Sequence, residues 1–142
     1  MGRKGMLIAL AALAVAGCST SPYAKWKDLG AVYCNQVPLP RDAQFEDAMG
    51  GDYFGEGFND QVSETMAYFF TTKESPEKLV AFYEQTFPGA IKETGDEGDI
   101  IFTVKPEGAE EGEEVYIRVR TDGKIQIGED TKPGKHKESG VL

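Results

Sequence analysis

Hydrophobic and polar positions alternate with a period of two in four stretches of the chain and with a helical period in one. In "SETMAYFFTT", Met66, Tyr68 and Phe70 point one way, and Thr65, Ala67, Phe69 and Thr71 the other. Its aromatic and threonine content favours a strand. "DIIFTVK" places Ile100, Phe102 and Val104 on one face, "EVYIRVR" does the same with Val115, Ile117 and Val119, and "KIQIG" with Ile125 and Ile127. Asp122-Gly123, between the last two, is a two-residue hairpin signal. The helical period falls in "KESPEKLVAFYEQTFPG", where Leu79, Phe82, Tyr83 and Phe87 form an apolar face with Val80 beside them. Ser75 suits the N-cap, Pro76 suits the first turn, and Pro88-Gly89 ends the run.

The order is strand, helix, strand, strand, strand. The simplest assembly is an α+β domain, an antiparallel sheet of four to five strands with one helix across one face. "AVYCNQVPLPRDAQF" is expected to supply the additional strand, ended by Pro38 and Pro40. Phe82 is placed centrally on the buried side of the helix. The second face of the sheet should carry Thr65, Phe69, Thr71, Ile101, Thr103, Tyr116, Arg118, Arg120 and Gln126. Residues 31–47 are expected to cover it as packing. Left uncovered, its aromatics with Arg118 and Arg120 are the residue types enriched at binding hot spots. The two arginines would then take a carboxylate or phosphate of a partner, or else pair with the chain's own acids.

The first residues follow a different pattern. Arg3 and Lys4 precede an unbroken apolar run from Met6 to Ala16, and Gly17-Cys18 is followed at once by Ser19 and Thr20. A membrane-spanning helix needs roughly 20 apolar residues. This run is shorter and suits the core of a secretory signal. Val15-Ala16-Gly17-Cys18 resembles the lipobox of bacterial lipoproteins. That resemblance implies that residues 1–17 are removed, that Cys18 is lipidated, and that the protein is held on a membrane of the cell envelope. Each buried methylene contributes about 0.8 kcal/mol and one acyl chain binds only marginally, so two or three chains on Cys18 make a lasting anchor. Ser19 rather than Asp after the cysteine implies sorting to the outer membrane in a Gram-negative cell, and the outer face of the cell membrane in a single-membrane organism. Residues 18–30 then read as a tether, 31–128 as the domain and 129–142 as a disordered tail. Trp26 is expected to fold back onto the domain rather than rest at the headgroup level. Within the domain, "QVPLPRDA" and "FTTKESPEKLVAFYEQTFPG" resemble a small module of bacterial secreted proteins and lipoproteins. The likeness covers about residues 36–128, departs from the module's pattern in a glycine-rich insertion at 49–58, and implies fold and compartment but no activity.

Charge and composition narrow the chemistry. The chain carries a formal charge of −9, which becomes −11 once Arg3 and Lys4 leave with the signal. That excludes nucleic acid as a partner. The acids cluster at 96–99 and 107–114 in glycine-containing loops, as solvated segments do. With Cys18 lipidated, Cys34 has no disulfide partner. Val32, Tyr33 and Val37 around it predict a buried, inert thiol. The single histidine, His136, falls in "EDTKPGKHKESGVL", so the folded part is expected to hold none. Ser63 then has no evident base, no Gly-x-Ser-x-Gly occurs, and Glu64, on the side of Met66, is expected to be buried and satisfied, or at an edge, rather than catalytic. "GGDYFGEGFND" sets Tyr53, Phe54 and Phe58 on a glycine scaffold, as a partner-binding loop would. It lacks the Lys-Ser/Thr ending of a phosphate loop, and Asp52, Glu56 and Asp60 lack the spacing of an EF-hand. The expectation is therefore a lipid-anchored envelope protein with a non-enzymatic domain that binds or scaffolds another envelope component and needs no cofactor. Its candidate contacts are Tyr53, Phe54, Phe58, Phe69, Tyr116, Arg118 and Arg120. The alternatives are a small ligand or Ca²⁺ held by residues 49–60 and, behind that, an enzyme.

Overall fold

Among the described residues, six strands and one full helix follow one another along the chain as β1 (Gln44–Phe54), β2 (Gln61–Thr71), α1 (Pro76–Thr86), β3 (Ile91–Thr94), β4 (Ile100–Val104), β5 (Glu114–Val119) and β6 (Lys124–Thr131). The computed structural model describes residues 29–54, 61–133 and 135–136, with the backbone alone at 51–54 and 61–63. All pairings are antiparallel and the spatial order is β1-β2-β6-β5-β4-β3. α1 carries the chain from β2 to the far edge at β3. The meander β3 to β6 then brings β6 back beside β2, with Glu64 opposite Thr131 and Thr71 opposite Lys124. The described residues form an α+β domain, with one helix against an antiparallel sheet of six strands rather than four to five.

The two unforeseen strands are the edges. β3 is exposed at every residue, so it shows no alternation. β1 runs through Gly50-Gly51, part of the stretch read as a loop, and pairs with β2 from Gln44↔Thr71 to Phe54↔Gln61. A bulge between Phe45 and Asp47 shifts its register, so Phe45 and Ala48, three positions apart, both pack toward the core. Phe45 meets Phe70 edge to face at 5.8 Å.

α1 starts as its sequence dictates. The Ser75 hydroxyl accepts from the Lys78 N–H at 3.2 Å, Pro76 opens the first turn, and the Phe87 N–H returns to the Tyr83 carbonyl at 2.9 Å. Its buried side chains are Leu79 and Tyr83. Phe82 is only half-buried, which corrects its placement at the centre of the packed face. The neighbouring position takes the centre: the Tyr83 ring tilts against Phe102 at 6.2 Å.

Residues 29–39 form no strand. They make an irregular strap with a 3-10 turn at Cys34–Gln36, because Pro38 and Pro40 cannot serve a sheet interior. The strap lies on the helix side, where Tyr33, Cys34, Val37 and Leu39 join the core beside Met66, Tyr68, Ile117 and Ile127. Tyr83 Oη donates to the Pro38 carbonyl at 2.8 Å and Tyr68 Oη to that of Leu29 at 3.2 Å. The expectation that residues 31–47 cover the second face is thereby corrected. Cys34 is wholly buried, and burial followed by the nearby Glu129 charge pushes its thiol well above the ordinary range, so it is inert at neutral pH.

The tail reading is corrected in its first part. β6 continues to Thr131, and Lys135 and His136 return to the body of the domain. Cys18, Trp26 and the loop residues Glu56, Phe58 and Asp60 lie outside the described residues.

Candidate functional site

Two arrangements carry polar chemistry, one open and one sealed. The open one is the sheet face opposite α1, over which no described element lies. Its cross-strand rows follow from the register. Thr103, Tyr116, Gly128 and Ala67 form one row from β4 to β2, and Ile101, Arg118, Gln126 and Phe69 form the next. Tyr116 is laid across Gly128, where any Cβ would overlap its ring. Its hydroxyl accepts from Gln126 Nε2 at 3.0 Å, and burial pushes its acidity upward in pKa despite that bond. Phe69 and Tyr116 remain half-buried, presenting ring surface to solvent. Thr65 Oγ1 donates to Asp130 Oδ1 at 2.6 Å on the same face.

The arginines pair with the chain's own acids. Arg118 Nη1 meets Asp99 Oδ2 at 3.1 Å, and Arg120 Nη2 meets Asp122 Oδ2 at 2.8 Å. Asp99 is itself buried and also accepts from the Thr121 N–H at 3.1 Å. The hollow they line contains three carboxylates, Asp96, Glu97 and Asp99, against two guanidiniums. An anion finds no excess positive charge there, and of the two alternatives for these residues the structure shows the pairing with the chain's own acids. Arg118 keeps one buried donor, Nε, without a partner. Of the predicted contacts, Phe69, Tyr116 and Arg118 share this face and Arg120 stands at its rim. Tyr53 and Phe54 end β1, the edge strand beside β2, at the end of the ladder opposite to Phe69.

Gly128→Ala is expected to cost about 1–3 kcal/mol, the usual cost of overpacking, because Tyr116 must leave its seat. Urea unfolding measures it. In a Tyr116→Ala background the loss should shrink to within a few tenths of a kcal/mol, since the overlapping ring is gone. An equal loss in both backgrounds would separate Gly128 from Tyr116.

Of the sealed arrangement only the burial of Glu64 was foreseen. Glu129 lies on the core side of β6, where one Oε1 accepts from the N–H groups of Tyr33 and Cys34, and Oε2 from that of Val32, all at 2.8 Å. His136 Nε2 stands 2.6 Å from Glu129 Oε2. Its Nδ1 is 3.4 Å from both Glu64 Oε1 and Thr131 Oγ1. Burial raises the Glu129 carboxyl, but His136 and the three N–H groups outweigh it and hold the group below the ordinary carboxylate range. Burial lowers His136, but the hydrogen bond and charge of Glu129, then those of Glu64, outweigh it and leave the imidazole above its ordinary value. Beside it, Glu113 accepts from Tyr33 Oη at 2.5 Å, from the Glu110 and Lys132 N–H groups at 2.8 Å, and from Lys135 Nζ at 2.9 Å. Burial opposes that carboxylate, yet these donors bring it down to about 2. Both carboxylates therefore bind the strap to the chain's last described residues.

Glu129, His136 and Thr131 share the carboxylate–imidazole–hydroxyl sequence of a hydrolytic triad. Their exposures are 0%, 1% and 1%, so no substrate reaches them. Among the described residues no three His, Cys, Asp or Glu side chains stand where they could hold a metal ion. The cluster is structural. Its signal was present in the sequence: the alternation that buries Ile125 and Ile127 also buries Glu129, and that of Val115 and Met66 also buries Glu113 and Glu64.

No protein-family model matches the chain. No curated protein and no solved structure matches it significantly either.

Proposed function

We propose that this chain is a lipid-anchored cell-envelope protein whose α+β domain binds another envelope component through the open sheet face. The observation that carries the reading is that face: half-buried Phe69 and Tyr116 lie on a rigid sheet, with Tyr116 seated by Gly128 and oriented by Gln126. Aromatic surface held in one orientation loses little entropy on docking, which favours binding. Around it Thr65 is paired with Asp130 and Arg118 Nη1 with Asp99, and Arg118 Nε keeps a buried donor without a partner, so a partner meets apolar rings within a mostly paired polar rim, the usual anatomy of an interface. The chain's one imidazole is sealed in the interior, so it is not available as the base of a nucleophilic mechanism. The lipobox at Val15-Ala16-Gly17-Cys18 supports the anchor and the compartment.

The test places a photo-crosslinking amino acid at Phe69 and, as a control, at Glu84 on the exposed side of α1, in cells making the full chain. A discrete crosslinked product from position 69 and none from 84 is the expected outcome. The Cys18→Ser chain is expected to lose both lipid labelling and that product, because sulfur at this position accepts the diacylglycerol. Equal crosslinking from both positions would remove the open face from the proposal, and lipid labelling of Cys18→Ser would remove the anchor.

A further inference from the structure

The large apolar side chains that stand exposed among the described residues are Met49, at 60%, and Ile91, at 63%. They belong to opposite edge strands, yet the register joins them. Met49 pairs with Ala67, Ala67 with Gly128, Gly128 with Tyr116, Tyr116 with Thr103, and Thr103 with Ile91. Direct cross-strand partners share a face, so these six residues form one row over all six strands on the open side. Strands lie ~4.8 Å apart, which makes the row about 24 Å long. Its polar atoms are few, and the Tyr116 ring lies across Gly128 near its middle.

Charge decides what fits this row. The cations nearby are already engaged: Arg118 with Asp99, Arg120 with Asp122 and Lys124 with Glu46, while Lys105 donates to the Glu110 carbonyl at 2.9 Å. The acids beside the row are not so matched. Asp130 and Glu114 stand one row to one side, directly opposite each other on β6 and β5. Asp47 and Glu93 stand one row to the other side, on the two edge strands. Among the described residues none of these four carboxylates is in an ion pair. Like charges directly opposite in a ladder destabilise it, and a cation brought over Glu114 and Asp130 relieves them. A second copy of this chain would bring acids against acids, at a formal charge of −9 each. An extended segment laid over the face would leave its own N–H and C=O groups without partners, whereas a helix satisfies its backbone internally. At 1.5 Å per residue, about 16 helical residues span the row. Resting on the reading of the open face as the binding surface, we propose that its occupant is a basic amphipathic helix of the partner protein. The helix lies along the row from Met49 to Ile91, apolar side on Tyr116, with Lys and Arg over Glu114 and Asp130 on one flank and over Asp47 and Glu93 on the other.

The experiment uses membranes from cells making the full chain with a photo-crosslinking amino acid in place of Met49 or of Ile91. The crosslinked segments are sequenced by mass spectrometry. Both positions are expected to label one segment of one partner, at sites about 16 residues apart, with Lys and Arg on both sides of an apolar stripe. The yield is expected to fall several-fold between about 50 and about 500 mM salt, as screening removes the attraction. Glu93→Lys with Glu114→Lys, both exposed, should lower it several-fold at low salt. Glu74→Lys with Glu77→Lys, the same change of charge at the start of α1, should leave it unchanged. Equal losses in the two double variants would overturn the proposal, because the attraction would then follow overall charge and not this rim. Labelling of a second copy of this chain, of an acidic segment, or of different partners from the two positions would overturn it as well. If position 69 still crosslinks in any of those cases, the open face stands and only the basic helix falls. If no position on the face crosslinks, both readings fall.

Discussion

Tyr83→Ala is expected to lower the stability of the domain by about 3–5 kcal/mol, the usual loss on emptying a buried aromatic site. Tyr83 has no exposed surface, packs on Phe102 and on Phe82, and is the hinge between helix, sheet and strap because its hydroxyl donates to the Pro38 carbonyl. Truncation therefore removes packing and one buried hydrogen bond together. Tyr83→Phe separates the two: it keeps the ring and should cost only about 1 kcal/mol. Phe82→Ala should cost less than Tyr83→Ala, since Phe82 is half-buried. Urea unfolding of the three variants checks the series. A Tyr83→Ala loss below that of Phe82→Ala would mean that the helix meets the sheet through its other edge.

Glu129→Ala is expected to be as severe, about 3–5 kcal/mol, because removing one member of a buried charge pair leaves the other uncompensated. Here the donors that lose their acceptor are His136 Nε2 and the N–H groups of residues 32–34. The pH profile distinguishes this from simple loss of packing. In the wild type, Glu129 is depressed below 4.5, so its contribution is present above that value and is lost as pH falls through the depressed one. That of His136 is lost on the opposite, alkaline side. The wild-type profile should be a plateau with two flanks, and Glu129→Ala should flatten both. Glu129→Gln keeps an acceptor for the strap and is expected to fall between the two. Stability profiles from urea unfolding at a series of pH values decide it. An Ala variant that keeps the alkaline flank would show that the charged imidazole is sustained without Glu129.

The helix and the inner strands were legible because each element repeats one local rule. Ser75-Pro76 starts α1 and caps it through the N–H three residues on, and Val115, Ile117, Val119, Ile125 and Ile127 bury the face their alternation assigns. Gly123, at φ 87°, closes the β5–β6 turn where Asp122-Gly123 placed it. The same local rule also held the buried carboxylates. Glu64, Glu113 and Glu129 sit at inward positions by parity alone, yet a charge at an inward position has no meaning until its partners are known. Those partners come from residues 32–34 and 136, about a hundred positions away from one another in the chain, and only closure of the sheet by β6 against β2 brings them together.

Tertiary structure likewise decided the edges and the open face. β1 carries a bulge that breaks period two, and β3 is exposed on both sides, so neither leaves the pattern by which a strand is read. Which side of the sheet the strap covers could not be read from its composition: apolar residues at 33, 34, 37 and 39 suit either face equally. The choice was made by Glu129 and Tyr83, whose polar groups capture the strap backbone on the helix side. The sequence by itself determined what each segment buries, because burial follows from side-chain periodicity. Only the folded chain decided what each segment is buried against, and so left Phe69 and Tyr116 facing solvent, because that depends on pairings between residues far apart in the chain.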